Sequence, residues 1–327
     1  MRPATPLNTA VMNAADPAAL DQAVDILAAG GCIAAPTETV YGLAADAGSD
    51  AAVAGIYAAK GRPKFNPLIA HVDTLERARA LIDLPDAALR LAEALWPGPL
   101  TLVAARKRGA PVSALAAAGL DTLAVRLPAS PTLRSLVARL DRPLAAPSAN
   151  RSGEISPTTA DHVKAGLNGR IDLILDGGPC AVGVESTIVS FIDPQNPEIL
   201  RAGGLERSLI EAHAGPLPAS PSKCSKLHRP HAPGQLSTHY APKAKLRLNA
   251  SEPAAGEAFL AFGPFNPKEA YDFINLSDRA DLVEAAANLF SSLHALDAIA
   301  ERIAVAPIPD HGLGEAINDR LRRAATR

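Results

Sequence analysis

Short apolar runs alternate with stretches of helical periodicity along the first two hundred residues. Helices are predicted from apolar spacing and from cap and stop signals: one opens at Asp16-Pro17 and ends at Gly30-Gly31, two cover 51–60 and 86–96, and two more open at Ser130-Pro131 and Ser156-Pro157. Strands are predicted at 32–35, 67–72, 100–105, 122–127, 144–146, 173–175, 186–192 and 199–200. Because the two types mix irregularly, the pattern predicts an α/β domain with a mixed sheet.

The periodicity stops after residue 212 and resumes near residue 243. Residues 213–242 are rich in Pro, Ser, Lys and His, which is typical of a linker. Beyond it the pattern predicts strands at 245–248, 259–262, 272–276 and 302–306, and helices at 281–296 and 314–325. We therefore expect a first domain over 1–212, a linker over 213–242 and a small Rossmann-like α/β domain over 243–327.

Composition excludes several classes of protein. The chain has 327 residues, a formal net charge of -2 and only 4% aromatic residues, which argues against a strongly basic or base-stacking nucleic-acid surface. Three distant cysteines argue against a disulfide framework. Cys224, His228 and His231 lack a clear fourth metal ligand. Without an apolar run of membrane-spanning length or a signal-peptide core, we expect a cytoplasmic protein that binds no membrane.

Polar residues follow directly on apolar strands at several places. Thr37, Glu38 and Thr39 come after the strand at 32–35, and Ser148 and Asn150 come after the strand at 144–146. Ordinary turn and cap chemistry explains each group alone. The second loop continues to Ser156, which would cap a helix, and a helix N-terminus with free amides and nearby hydroxyls is a ready anion site.

Charged residues recur in the same setting. Lys60 and Arg62 follow a helix, where they could simply cap its C-terminus, but with Asn66 they would also suit a polyphosphate. Arg126 lies inside an apolar strand, where a charge is expensive unless paired, and Arg201 closes another strand. Each could be a structural ion pair, but together they favour a shared cleft. No nucleophile–base pair is evident, so the cleft should bind and orient an anionic substrate.

Read together, these segments resemble the YrdC family. The motifs are PTETVYGL, KGRP with NPLIAHV, WPGPLTLV, AVRLP, PSANRSG with SPT, GVESTIV and ILRAGG, in that order. The HYAP sequence ending at Pro242 and the final GLGEAINDRLRRA are similar to the longer, two-domain members. The resemblance covers the chain from about residue 16 onward.

The resemblance implies a fold and a reaction. The fold would be a twisted α/β sheet with a positive cavity, plus the small Rossmann-like domain. The activity would be L-threonylcarbamoyladenylate synthesis from L-threonine, bicarbonate (or CO2) and ATP, with Mg2+ and release of pyrophosphate. The product would pass to a threonylcarbamoyl transferase complex for the t6A modification at position 37 of tRNAs that read ANN codons, so that tRNA is an indirect partner.

The family's site residues carry over onto matching positions. The threonine pocket would comprise Thr39, His71, Arg126, Ala146 and Ser186. ATP would be held by Arg62, Asn66, Thr122, Ser148, Asn150, Ser156, Arg201 and Tyr240. Lys60 and Arg62 would act catalytically on the phosphates. Glu38 could hold either a cationic group or Mg2+, and the end of the linker, with Tyr240, would form a lid.

Two other functions compete with this interpretation. One is an RNA-binding or ribosome-maturation module, which the net charge disfavours. The other is a carbamoyl transferase of hydrogenase maturation, which the lack of zinc-finger and acylphosphatase-like segments disfavours. Threonine-dependent consumption of ATP would separate the synthase from the RNA-binding module.

Overall fold

The computed structural model describes residues 7–63, 65–218, 240–265 and 272–326. Within these ranges the chain forms a ten-stranded mixed sheet, a four-stranded parallel sheet and the helices that cover them. The ten-stranded sheet has the order β1-β8-β2-β3-β7-β4-β6-β5-β9-β10. Its strands are β1 (Ala10–Asn13), β2 (Ile33–Ala35), β3 (Gly42–Asp46), β4 (Ile69–His71), β5 (Leu100–Ala105), β6 (Thr122–Arg126), β7 (Leu144–Ala145), β8 (Leu173–Asp176), β9 (Thr187–Ser190) and β10 (Glu198–Arg201).

Helices cover both faces of this sheet. They are α1 (Pro17–Ala28), α2 (Asp50–Lys60), α3 (Leu75–Leu81), α4 (Asp86–Leu95), α5 (Pro131–Leu140), α6 (Ala160–Leu167) and α7 (Arg207–Ala214). Ala34 of β2 packs in one apolar cluster with α2, whereas its neighbours Ile33 and Ala35 pack in another with α1 and α5. Because successive strand side chains point to opposite faces, these clusters are the two faces of one sheet.

The second sheet is parallel and has the order β11-β14-β12-β13. Its elements are β11 (Lys245–Arg247), β12 (Ala258–Ala261), β13 (Phe273–Asn275), α8 (Leu282–Asp297), β14 (Arg302–Val305) and α9 (Gly314–Ala324). The predicted combination of a mixed sheet and a small α/β domain is confirmed. The predicted linker, residues 213–242, lies for the most part outside the described residues, as do Cys224, His228 and His231.

The core of the C-terminal sheet continues into the first domain. One apolar cluster joins side chains of α8 and α9 to Val40, Ile155 and Val184 of the larger domain. Gly183 makes this approach possible: a Cβ there would lie 2.4 Å from the Ala286 carbonyl oxygen of α8, and its φ of +74° also favours glycine. The loop before β9 therefore lies directly on the C-terminal domain.

Several sequence-based boundaries were wrong or incomplete. Strands β1 and β3 and helices α3 and α7 were not predicted. Ser156 does not cap α6, because the Thr159 side chain accepts from the His162 N–H and the helix begins at Ala160. No helix in the described ranges combines the length and the apolar character needed to cross a membrane.

Candidate active site

The first wall of the site is the turn that follows β2. Pro36 ends the strand, and Thr37 then organises the turn: its hydroxyl donates to the Val40 carbonyl at 2.6 Å and accepts from the N–H groups of Thr39 and Val40. The two threonine hydroxyls lie 2.8 Å apart. This network directs the Thr39 hydroxyl towards Arg126.

Arg126 is the charged centre of this wall. Its guanidinium donates to the Thr39 hydroxyl at 3.0 Å, to Glu38 Oε1 at 2.6 Å and to the Gly98 carbonyl at 3.3 Å. Glu38 also accepts the N–H groups of Ala129 and Ser130. Burial opposes ionisation of Glu38, but the charge of Arg126 and these hydrogen bonds prevail and lower its pKa. Of the two roles open for Glu38, the structure shows it holding a cation, Arg126.

His71 lies beside Arg126 because β4 and β6 pair in parallel with these two residues in register. Its Nδ1 lies 3.2 Å from the Ile69 carbonyl. Burial, followed by repulsion from Arg126, lowers the pKa of His71 to about 3. The imidazole is therefore neutral at physiological pH and can offer a hydrogen bond to a ligand without adding charge.

The loop after β7 forms the next wall and is fixed by Lys60. The ammonium of this buried lysine donates to the carbonyls of Ser148 and Asn150, each at 2.5 Å. Burial and then the charge of Arg62 hold the Lys60 pKa well below its usual value. In this structure Lys60 shapes the Ser148–Asn150 loop from behind.

Arg62 follows α2, which ends at Gly61 in the left-handed conformation. Its guanidinium donates to the carbonyls of Asn66 at 3.3 Å and Pro67 at 3.0 Å. Burial lowers the Arg62 pKa to about 10, with a smaller contribution from Arg201, so that it stays charged at neutral pH. These bonds present a fixed cation to the cavity.

Strands β9 and β10 supply the opposite wall. Arg201 donates to the Ser186 carbonyl at 2.9 Å and to the Ser186 hydroxyl at 3.1 Å. The Ser156 hydroxyl donates to Glu185 Oε1 at 2.6 Å. Burial opposes ionisation of Glu185, yet Arg320 and then Arg201 outweigh it and lower its pKa to about 2. The residue is therefore an ionised carboxylate beside the arginines.

The C-terminal domain supports this wall from behind, a feature that sequence reasoning missed. Arg320 of α9 is fully buried and donates to Glu185 Oε2 at 2.8 Å, and its guanidinium carbon lies 5.2 Å from the ring centroid of Tyr240. A signal was present in the sequence: Arg320 shares the helical stripe of Ile317, Leu321 and Ala324, where an arginine must have a partner.

Nine of the predicted site residues line one cavity. They are Thr39, Arg62, His71, Arg126, Ala146, Ser148, Ser186, Arg201 and Tyr240. Val40, Ile69, Pro147 and Glu185 complete the lining. A larger surface cavity has its arginines Arg77 and Arg142 already paired with aspartates, and the predicted residues lie elsewhere. The lining has three arginines and one paired carboxylate, which suits an anion.

Five predicted residues do not line this cavity: Lys60, Asn66, Thr122, Asn150 and Ser156. Lys60 and Ser156 are bonded to lining residues, as described above. The other three share a property, since each has a buried side-chain atom without a hydrogen-bond partner in the described structure: both amide atoms of Asn66, Oγ1 of Thr122 and Oδ1 of Asn150. An unsatisfied buried polar group costs about 1–3 kcal/mol, so these groups call for a ligand or solvent.

The described residues include no group of three or more His, Cys, Asp or Glu side chains placed to hold a metal ion. Glu185, which lines the cavity, and Glu38, which lies behind Arg126, are both bonded to arginines. The site therefore offers fixed cations, hydroxyls and amides, with no protein cage for a metal among these residues.

Comparison with known proteins assigns the family. A family model named Sua5/YciO/YrdC and described as "Telomere recombination" matches residues 25–203, and a model described as "Threonylcarbamoyl-AMP synthase, C-terminal domain" matches 203–326. The threonylcarbamoyl-AMP synthase of Bacillus subtilis (strain 168) is 39% identical over 93% of this chain and 92% of its own. That of Pyrococcus abyssi is 38% identical over 90% of this chain and 91% of its own.

The fold agrees with the sequence comparison. The crystal structure of P. abyssi Sua5 complexed with L-threonine superposes with a TM-score of 0.85 at 36% identity, covering 94% of each chain. The resemblance to the YrdC family found in the motifs is thus confirmed over both domains, and the chain belongs to the YrdC/Sua5 family of threonylcarbamoyl-AMP synthases.

Proposed function

We propose that this protein joins L-threonine, bicarbonate (or CO2) and ATP into threonylcarbamoyl-AMP, with release of pyrophosphate. The observation that carries the proposal is one buried cavity shared by two sets of groups. Thr39, His71 and Arg126 lie on one side, and Arg62 and Arg201 lie on another. A reaction that joins an amino acid to a nucleotide needs both sets to face a common space.

The threonine half is assigned to Thr39, His71, Arg126, Ala146 and Ser186. Arg126 would pair with the substrate carboxylate, because its hydrogen bonds to Glu38 and Thr39 already fix the orientation of the guanidinium. The neutral His71 ring and the Ser186 hydroxyl offer hydrogen bonds to the side-chain hydroxyl, and Ala146 leaves room for the methyl group. The solved structure of the P. abyssi relative is a complex with L-threonine, which supports threonine as the substrate.

The nucleotide half is assigned to Arg62, Asn66, Thr122, Ser148, Asn150, Ser156, Arg201 and Tyr240. Arg62 and Arg201 would carry the phosphate charge. The unsatisfied atoms of Asn66, Thr122 and Asn150 are the natural partners of the nucleotide's polar groups. Lys60 would act through the Ser148–Asn150 loop that it fixes.

The chemistry follows from these charges. Bicarbonate takes up a proton and loses water to give CO2, and the threonine amine, once it has lost its own extra proton, attacks that CO2. The C–N bond of a carbamate forms and the nitrogen releases a second proton. A carbamate oxygen then attacks the α-phosphorus of ATP, and the bond to the leaving pyrophosphate breaks. The nucleophile comes from the substrate, so the chain needs no catalytic Ser or Cys. Its residues hold two anions together, stabilise charge on the phosphates and keep water from the labile carbamate.

We assign Mg2+ to the ATP phosphates rather than to a protein cage, because the site carboxylates are bonded to arginines. In ATP-using enzymes this ion is held largely by phosphate oxygens and water, and when bound it supplies charge neutralisation at the pyrophosphate. The transfer of the product to a threonylcarbamoyl transferase complex, the indirect role of tRNA and the cytoplasmic location stay predictions.

The decisive experiment incubates the purified protein with ATP, bicarbonate and labelled threonine and separates the products. We expect an adenylate that contains threonine and an equal amount of pyrophosphate. Valine replaces only the side-chain hydroxyl by a methyl, so a site that hydrogen-bonds the hydroxyl should reject it by up to ~10⁴-fold in kcat/KM. Equal pyrophosphate release with valine would contradict the proposed pocket, and ATP turnover independent of any amino acid would contradict the function.

A further inference from the structure

Arg320 connects the C-terminal domain to the nucleotide side of the cavity. Its side chain is fully buried on α9 and donates three hydrogen bonds, each of 2.8 Å. Nε donates to Glu185, and Nη1 donates to the Ala202 carbonyl and to Asp319. Glu185 lines the cavity and lies next to Ser186, whereas Ala202 follows Arg201. One guanidinium thus contacts the neighbours of two proposed ligand-binding residues.

The same guanidinium contacts the residue that is proposed to meet the nucleotide. Its carbon lies 5.2 Å from the Tyr240 ring centroid, within the range of a cation–π contact. Tyr240 is 1% exposed and has a φ of 64°, a backbone conformation that a non-glycine residue adopts only when its surroundings hold it. Phe290 of α8 lies at 5.6 Å from the Tyr240 ring on the C-terminal domain. Two of the side chains that contact the Tyr240 ring therefore come from the C-terminal domain.

A buried ion pair between two domains does not by itself indicate a role at the site, since it can do no more than hold the domains together. A second ion pair between the same two domains provides a comparison. Arg207 and Glu315 also join the first domain to α9, at 3.6 Å, but both side chains are partly exposed and neither lines the cavity. The Arg320–Glu185 pair differs because its carboxylate is a wall of the cavity and also accepts the Ser156 hydroxyl.

From this geometry we infer that Arg320 is a positioning residue of the synthase: it sets Glu185 and the Tyr240 ring in place, so that the C-terminal domain completes the ATP side of the cavity. The inference rests on the proposed function for the identity of the ligand. It assigns the second domain a direct part in shaping the site. Arg320 itself contacts no reacting atom and acts through the two residues it holds.

The test compares four full-length variants with the wild-type protein. Arg320→Gln removes the cation, and Arg320→Lys keeps the charge but loses the planar fork. The double variant Glu185→Gln/Arg320→Gln removes both charges of the pair, so it avoids the uncompensated buried carboxylate that could unfold the single glutamine variant. Glu315→Gln is the matched control, because it breaks the other ion pair of α9 with the first domain.

Three readouts separate positioning from general stability. The affinity for a non-hydrolysable ATP analogue, measured by calorimetry, should fall at least ~10-fold in the folded Arg320 variants, about the loss of one charged hydrogen bond. The KM for threonine should change by no more than about twofold. In protein labelled with fluorotyrosine, the ¹⁹F resonance of Tyr240, assigned with Tyr240→Phe, should shift in the Arg320 variants and stay in place in Glu315→Gln.

The outcomes decide between the roles. If the folded Arg320 variants keep the wild-type affinity for the analogue and the Tyr240 resonance, the inference is overturned. It is also overturned if Glu315→Gln reproduces their losses, since Arg320 would then only join the domains. A wild-type protein that forms no adenylate would refute the proposed function. The ¹⁹F measurement needs no substrate, so it would still show whether Arg320 holds the Tyr240 ring in place.

Discussion

Glu38 illustrates how a charged residue can determine a site that it does not line. The carboxylate lies in the turn between β2 and β3, where it accepts from Arg126 and from two backbone N–H groups. The side chains of Arg126 and Glu38 are 5% and 13% exposed, so neither is well solvated. Glu38 therefore fixes the guanidinium that the proposed substrate carboxylate must meet.

Replacing Glu38 by Gln should weaken threonine binding. The amide can still accept a hydrogen bond but no longer balances Arg126, and breaking a buried pair lowers the free energy of unfolding by about 3 kcal/mol. We expect the KM for threonine to rise ~10-fold, since orientation of one charged hydrogen bond is lost, with the KM for ATP little changed. Steady-state kinetics in each substrate measures both constants.

Asp46→Asn provides the control for this variant. Asp46 also pairs with an arginine, Arg142, and its side chain is 6% exposed, but the pair lies outside the cavity. It should lower stability and leave the KM for threonine unchanged. A folded Glu38→Gln protein with wild-type threonine kinetics would show that Arg126 needs no such anchor.

Single residues at strand ends could be predicted from the sequence, and their partners could not. Thr39, Ser148 and Arg201 each follow or close an apolar strand, and a polar group at such a place is visible in the pattern. Arg320 and Glu185 are 135 positions apart, and which carboxylate meets a buried arginine depends on how two domains pack. The sequence indicates only the position of each of these two residues, and it does not identify them as partners.

Among the elements, α6 and α8 meet through a pair of stacked histidines. The rings of His162 and His294 lie 4.0 Å apart, and the His294 Nε2 lies 3.2 Å from the Ser156 carbonyl. Burial, followed by repulsion from His162, lowers the His294 pKa to about 4, whereas burial lowers that of His162 against the attraction of Asp161. At this point the two domains meet through neutral imidazoles.

This contact predicts a pH dependence of stability. Below its ordinary pKa of 6.5, His294 takes up a proton in the unfolded chain but not in the folded one until about pH 4. Stability should therefore fall as the pH drops through this window, by up to about 1 kcal/mol per pH unit for this group. His294→Gln, which keeps a donor to Ser156, should flatten the slope in denaturant titrations between pH 6.5 and 4, and an unchanged slope would refute the assignment.

Elements with clear boundaries were predicted well. Helix α1 has both an Asp–Pro start and a Gly–Gly end, and the predicted helix and its limits agree closely with the structure. Strand β3, Gly42–Asp46, is buried at every position and consists mostly of small residues, so it shows no alternation. Helix α6 was placed too early because Ser156-Pro157 has the form of a cap, while the Ser156 hydroxyl is bonded to Glu185 instead.

At the scale of the whole molecule, the close approach at Gly183 should control domain docking. A Cβ at this position would lie 2.4 Å from the backbone of α8. We expect Gly183→Ala to separate the thermal unfolding of the two domains in calorimetry and to weaken ATP binding. ATP binding should suffer more than threonine binding, because Arg320 and Phe290 of the C-terminal domain contact Tyr240 on the ATP side.

Gly178→Ala controls for backbone strain in this experiment. Gly178 has a similar φ of +78°, but a Cβ there would meet nothing within 4 Å. It should cost only the ~1–2 kcal/mol of the left-handed conformation and leave a single cooperative transition. Equal effects of the two substitutions would mean that strain, and not contact with α8, explains the change at Gly183.

The Arg320–Glu185 pair also has a consequence for synthesis on the ribosome. Glu185 leaves the ribosome 135 residues before its cation, an interval of roughly 7–27 s at ordinary elongation rates. During that time the larger domain can fold around a carboxylate that lacks Arg320 and a cavity that lacks the contacts of α8 and α9. A nascent chain should therefore hold ATP poorly, and the protein should begin to bind the nucleotide well only after the last helix has been made.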